Sequence, residues 1–414
     1  MKICLIIIPI IIVAYLFSHT LTLRCAHQAL VTVPVADLIS RPIQQSFPNL
    51  SIQQAYDQLP LSGGNTNPYH SCLRMHQLLL HETVTIVQQQ GDEVCVEIPH
   101  LFYITHTNKT PQHTYWMLKK NLTPLRELKK RSIDLKKIPA MPSFEKKTVE
   151  DKYAIILAMP YKDPVTQQTF SAGTRFVMVP NTAQTKTEVT VYAFDARIND
   201  FTHIQLPLDL VIKPAGTKKE KMKQFVNLMR RWTSINNGFF PYVWGGTSLV
   251  DTSNGNYLET QMTINGQDCS YYNLSDIQKS PKTGMDCSGL IARAAQMCGI
   301  PYFFKNTLTT AQNMATLQKN QTLQEGDIIW ISGHVMVVSD LKKNRLFEAR
   351  SSVYGGQGKL QEISLDKVFH GMTTYDKLIE AYHQKEPLNR LDKDGNIVQK
   401  CYDFKLLKLE TVFR

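Results

Sequence analysis

Cysteine is sparse in this chain: eight residues in 414, irregularly spaced. That is too few for a disulfide-built scaffold, and the spacing is not that of a zinc ribbon. No recognised nucleic-acid motif accompanies the formal charge of +11, and Lys and Arg are spread along the chain. The two densest basic stretches, Lys129-Lys130-Arg131 and Lys218-Lys219-Glu220-Lys221-Met222-Lys223, read as solvated linker or helix faces. Nucleic acid is therefore not an expected partner, whereas an anionic surface or polymer suits the charge. A composition of 43% hydrophobic residues excludes a disordered or fibrous protein, and the length suits two to four domains.

Lys2 precedes the apolar run Ile3 to Phe17, the pattern of a signal peptide or a short membrane anchor over residues 1–25. The run falls short of the roughly 17–25 residues of a spanning helix, which favours export with cleavage. It has no clean small-x-small cleavage site, and Arg24 removes the lipoprotein context from Cys25. The expected location is periplasmic or secreted, with inner-membrane association through residues 1–25 if they are retained. An oxidising compartment would permit a bridge such as Cys72 to Cys95.

Residues 26–61 are rich in Pro, Gln and Ser and read as an extended lead-in. In residues 62–140, Val84 and Ile86 alternate with Thr83 and Thr85, Gly91-Asp92 makes a turn, and Val94, Val96 and Ile98 alternate again, which predicts a hairpin. His113 to Leu118 follows as an aromatic strand. In residues 141–214, Tyr153 to Met159, Gly173 to Val179 and Glu188 to Phe194 form a second strand-rich block of similar rhythm without a residue-by-residue repeat. The remaining block, 215–414, opens with a helix over Lys219 to Asn236, whose Met222, Phe225, Val226, Met229 and Trp232 form one apolar stripe.

Chemistry concentrates in this last block. Met285-Asp286-Cys287-Ser288-Gly289-Leu290 puts a cysteine at the start of a helical run ending at Met297. Unpaired N–H groups and the helix dipole there favour a thiolate. Further on, Gly333-His334-Val335-Met336 sets an imidazole at the head of a strand. Cys287 is the candidate nucleophile and His334 its candidate base. A second Asp-Cys-Ser, at Asp268-Cys269-Ser270, is followed by Tyr271-Tyr272-Asn273 and lacks a helix start.

Together with Pro241-Tyr242-Val243-Trp244-Gly245-Gly246, Glu325-Gly326-Asp327-Ile328 and Leu346-Phe347-Glu348-Ala349, these segments resemble the NlpC family of cell-wall cysteine peptidases over roughly residues 220 to 370. The resemblance implies an α+β papain-like cysteine peptidase domain, and beside it the two β blocks resemble small all-β SH3-like barrels. It also implies that the Tyr242 hydroxyl joins the Cys287 backbone N–H at the oxyanion, and that Asp286 and Ser288 meet a free L-alanine amine on the substrate. Glu348 stands where the family often has a histidine, and on a strand antiparallel to Val335–Ser339 it would reach His334 Nδ1, leaving Nε2 for the thiol. The connection between Gly246 and Cys287 is longer than the family's.

The expected function is thus hydrolysis of peptidoglycan stem peptides, by family resemblance at a γ-D-glutamyl–diaminopimelate bond. Peptidoglycan or muropeptides are the expected partners, and the chemistry requires no metal or cofactor. Two alternatives stay open: a Cys/His amidase or acyltransferase acting on another envelope substrate, and a non-catalytic wall-binding scaffold.

Overall fold

A computed structural model describes residues 27–59, 73–149, 153–180, 186–235, 240–250, 282–351 and 358–413, and the backbone of the strands Tyr257–Ile264 and Gln267–Leu274. The segment read as a leader or anchor, residues 1–25, lies outside them.

The first sheet has seven antiparallel strands in the order Arg74–Leu79, Val35–Ile39, Thr114–Leu118, Glu93–Glu97, Thr83–Gln90, His27–Val31 and Leu122–Pro124. The expected hairpin is present, with Ile86 opposite Val96. Val84, Ile86, Val94 and Val96 are buried in the core, as their period-2 pattern requires. Residues 27–59 are not an extended lead-in. His27–Val31 and Val35–Ile39 are integral strands, too short for their alternation to stand out in the sequence, and Ser51 caps a short helix, Ile52–Asp57.

The second sheet runs Asp200–Pro207, Glu188–Asp195, Arg175–Met178, Ala154–Leu157, Val211–Ile212. Asp200–Pro207, unanticipated from sequence, pairs with Glu188–Asp195 along its whole length and buries Phe201, Ile204 and Leu206. Among the described residues neither strand order closes on itself, so both sheets are open where barrels were expected.

The third sheet is antiparallel in the order Phe240–Pro241, Lys359–Ser364, Arg345–Arg350, His334–Asp340, Ile328–Ile331, Phe404–Leu407. The helix Cys287–Met297 packs on its central strands, which is the arrangement of a papain-like core. A second helix, Lys218–Thr233, starts at a capping box between Thr217 and Glu220 and buries the predicted stripe. Each such side chain contributes about 1.5–3 kcal/mol of burial.

The three sheets are not beads on a string. One apolar cluster runs from Val31, Leu78 and Val96 of the first sheet through Trp232, Leu290 and Ile291 to Phe347 of the third. Polar contacts reinforce it: Arg293 Nη1 lies 2.6 Å from Glu82 Oε1, Thr247 N–H donates to Gln77 Oε1 at 3.1 Å, and Trp232 Nε1 donates to the Ala158 carbonyl at 2.9 Å.

Candidate active site

The helix carrying Cys287 begins where the sequence predicts, because Asp286 is its N-cap. Asp286 Oδ1 accepts from the Gly289 N–H at 2.5 Å and the Ser288 hydroxyl at 2.9 Å, while Oδ2 accepts from the Gly245 N–H at 2.9 Å and faces Lys305 Nζ at 3.3 Å. Two glycines let the surrounding backbone close in. A Cβ on Gly289 would lie 2.2 Å from the Gly246 carbonyl oxygen; one on Gly245, whose φ is +69°, would lie 2.4 Å from that of Arg74. The motif glycines are thus conditions of assembly.

The backbone N–H groups of Val335 and Ser288 act to favour the Cys287 thiolate, and the helix that Cys287 opens packs on the strand His334–Asp340. The thiol is not poised as a thiolate. Burial, helped by the Asp286 carboxylate, pushes it up to about 12, against the opposing pull of the two N–H groups and Lys305. The helix start acts in the expected direction, but desolvation of a buried sulfur outweighs it.

His334 opens the strand His334–Asp340 and is buried. Its Nε2 lies 3.0 Å from Glu348 Oε1, on the neighbouring strand Arg345–Arg350. Glu348 therefore meets the imidazole, but by Nε2 and not by the Nδ1 expected. The ring enters from the strand's first residue, so its far edge reaches the adjacent strand. Burial first, then Arg390 and Arg350, push the imidazole well below its ordinary range, while Asp286 opposes them. The resting pair is thus thiol and neutral imidazole.

Tyr242 is buried in the same cluster as Cys287, and its backbone N–H donates to Gly358. Asp286 and Ser288, read as contacts for a substrate amine, bond to each other, and a cation, Lys305, already stands at the carboxylate. Cys269 lies within the hairpin strand Gln267–Leu274, opposite Met262, and not at a helix start. Cys95 is a free thiol, and Cys72, with which an oxidising compartment would permit a bridge, lies outside the described residues.

Two residues of the site escaped the sequence reading. Lys305 lies beyond the nucleophile helix. Arg390 belongs to Leu388–Leu391, in a tail that showed no motif. Its guanidinium Nη2 pairs with Glu348 Oε1, both side chains wholly buried. A lone arginine flanked by leucines, Leu388 and Leu391, was the one available signal. Among the described residues no group of three or more His, Cys, Asp or Glu side chains could hold a metal ion.

No family model matches the sequence, and no curated protein matches it. Solved structures do. The neighbours it resembles are NlpC/P60 proteins. An NlpC/P60 family protein from Bacillus cereus aligns over 82% of this chain and 94% of its own at 16% identity and a TM-score of 0.49. An NlpC/P60 endopeptidase from Photobacterium damselae subsp. piscicida aligns over 95% of this chain and 75% of its own, at 10% identity and a TM-score of 0.45. For NlpC2 from Trichomonas vaginalis the coverages are 83% and 94%, with 10% identity and a TM-score of 0.28.

Proposed function

We propose that the chain is an exported cysteine peptidase that cuts peptidoglycan stem peptides, with Cys287 as nucleophile, His334 as base and Glu348 orienting the ring. The observation carrying this reading is the arrangement Cys287 on a helix start, His334 on the strand against it, and Glu348 3.0 Å from the far ring nitrogen. Sulfur attacks the scissile carbonyl as its proton passes to His334 Nδ1. The resulting imidazolium, whose Nε2–H donates to Glu348, protonates the leaving amine, and water then hydrolyses the thioester. Tyr242 and the Cys287 backbone N–H receive the oxyanion. Since the resting thiol and imidazole are both neutral, this transfer takes place within the substrate complex.

The bond is γ-D-glutamyl–diaminopimelate, following the family resemblance of the four motifs. Export places the enzyme in the periplasm or outside the cell, with residues 1–25 giving any inner-membrane association. A stem already freed from glycan would present its amine to Asp286 and Ser288, displacing Lys305 from the carboxylate. Incubation of the purified protein with sacculi and with free tetrapeptide, read by mass spectrometry, tests both points. The expected product carries a new diaminopimelate amine, and it forms faster from the free peptide. Unchanged sacculi and peptide would overturn the assignment.

A further inference from the structure

We propose that Arg390 is a positioning residue for this reaction: it neutralises Glu348, so that the carboxylate holds the His334 ring by a hydrogen bond without keeping the ring protonated. The inference rests on the reading of Cys287 and His334 as the reacting pair.

Arg390 stands in the strand Leu388–Leu391, which pairs with Ile397–Cys401, meets Phe369 at an isolated bridge, and lies outside the sheet that carries His334. Its side chain is nonetheless wholly buried. Nη1 rests 3.2 Å from the Met336 sulfur, and the guanidinium carbon is 5.7 Å from the centre of the Phe369 ring. Burying two charges this deeply costs several kcal/mol per ion before their attraction is counted, and apolar residues of similar size commonly hold a fold as well. The pair is therefore poorly explained by stability alone. Its placement is informative: the oxygen that Arg390 engages, Glu348 Oε1, is the same one that faces His334 Nε2.

A lone buried carboxylate beside an imidazole favours imidazolium, which cannot accept the thiol proton. With Arg390 on it, the carboxylate presents little net charge yet remains an acceptor for the Nε2–H. The ring also feels the charges of Arg350 from the Glu348 strand and Asp286 from the head of the nucleophile helix, and Asp286 is itself paired with Lys305. Arg390 and Arg350 together offset the two carboxylates, leaving burial to keep the imidazole neutral and able to act as a base. Glu348 with Arg390 thus does the work of one neutral polar side chain, and the strand supplying the cation comes from the C-terminal tail.

The test reads the ring and the thiol without substrate, so it stands apart from whether peptidoglycan is cut. The His334 ring nitrogens are followed by NMR across pH, and Cys287 alkylation by iodoacetamide is timed, in the full protein and in three variants. Arg390→Met should raise the ring's titration point by about 1–3 units and speed alkylation at pH 7 by roughly tenfold per unit. Arg390→Lys keeps the charge and should stay near the parent value. Arg390→Met combined with Glu348→Gln removes both charges and should return the ring toward the parent value, and this variant stays informative if the single change unfolds. A ring that titrates alike in the parent and Arg390→Met, or a double variant displaced from the parent by a unit or more, would overturn the proposal.

Discussion

Asp-Cys-Ser occurs twice in this chain, and the two copies fold differently. At Asp268-Cys269-Ser270 the tripeptide lies inside a hairpin strand; at Asp286-Cys287-Ser288 it opens a helix. The residue after it separates the two. Gly289 allows the Gly246 carbonyl to approach within a distance that no Cβ permits, and the Asp286 carboxylate then caps the turn. Tyr271 cannot do this, and two-residue alternation with a facing strand is what remains. A local tripeptide becomes a site only where its neighbours let other backbone close over it.

The comparison is broken most directly at sulfur. Cys287→Ala should lower hydrolysis by about a thousandfold or more, whereas Cys269→Ala should retain most activity, with both variants folded by circular dichroism. Equal losses would mean that the helix start does not distinguish the two.

Next in size is the cap. Asp286→Ala removes the N-cap and strands the Lys305 ammonium, whose side chain is 3% exposed, and should cost about 3–5 kcal/mol in urea unfolding. Asp268→Ala removes no cap and should cost far less. Asp286→Asn, which can still cap but carries no charge, should fall between them.

A gentler probe compares reactivity with position. Because burial holds the Cys287 thiol near 12, its alkylation in the resting protein should keep accelerating as pH rises above neutrality. A plateau reached by pH 6 would instead show a preformed thiolate.

The smallest expected effect is acid sensitivity next to this site. The buried rings of His76 and His100 lie 5.6 Å apart, near Lys305 and Arg293, and burial depresses both, His100 to about 4. With the folded value below the unfolded one near 6.5, the unfolded chain takes up protons first as pH falls. The stability contributed is present above pH 6.5 and is lost between about 6.5 and 4. His100→Gln should flatten the pH dependence of urea unfolding in that window, and an unaltered slope would remove His100 from the account.

Much of this was legible because it is local. Helical spacing marked Lys218–Thr233, alternation marked the hairpin around Gly91, and the order Asp-Cys-Ser-Gly then Gly-His marked the pair of candidate reactive residues. The strands His27–Val31 and Asp200–Pro207 were not anticipated, since a five-residue strand shows little period and His203 and Gln205 dilute the apolar one.

By itself, then, the sequence determined where a helix could start at Cys287, where a strand could start at His334, and that a carboxylate at Glu348 could reach across one strand pair. Tertiary structure alone decided which ring nitrogen meets Glu348, that Arg390 from the distant C-terminal tail shares the same oxygen, and that the thiol is too desolvated to ionise at rest. The reason is physical: turn, cap and period are properties of neighbouring residues, whereas the ionisation of a buried group depends on every charge and every lost water around it, and those come from all parts of the chain.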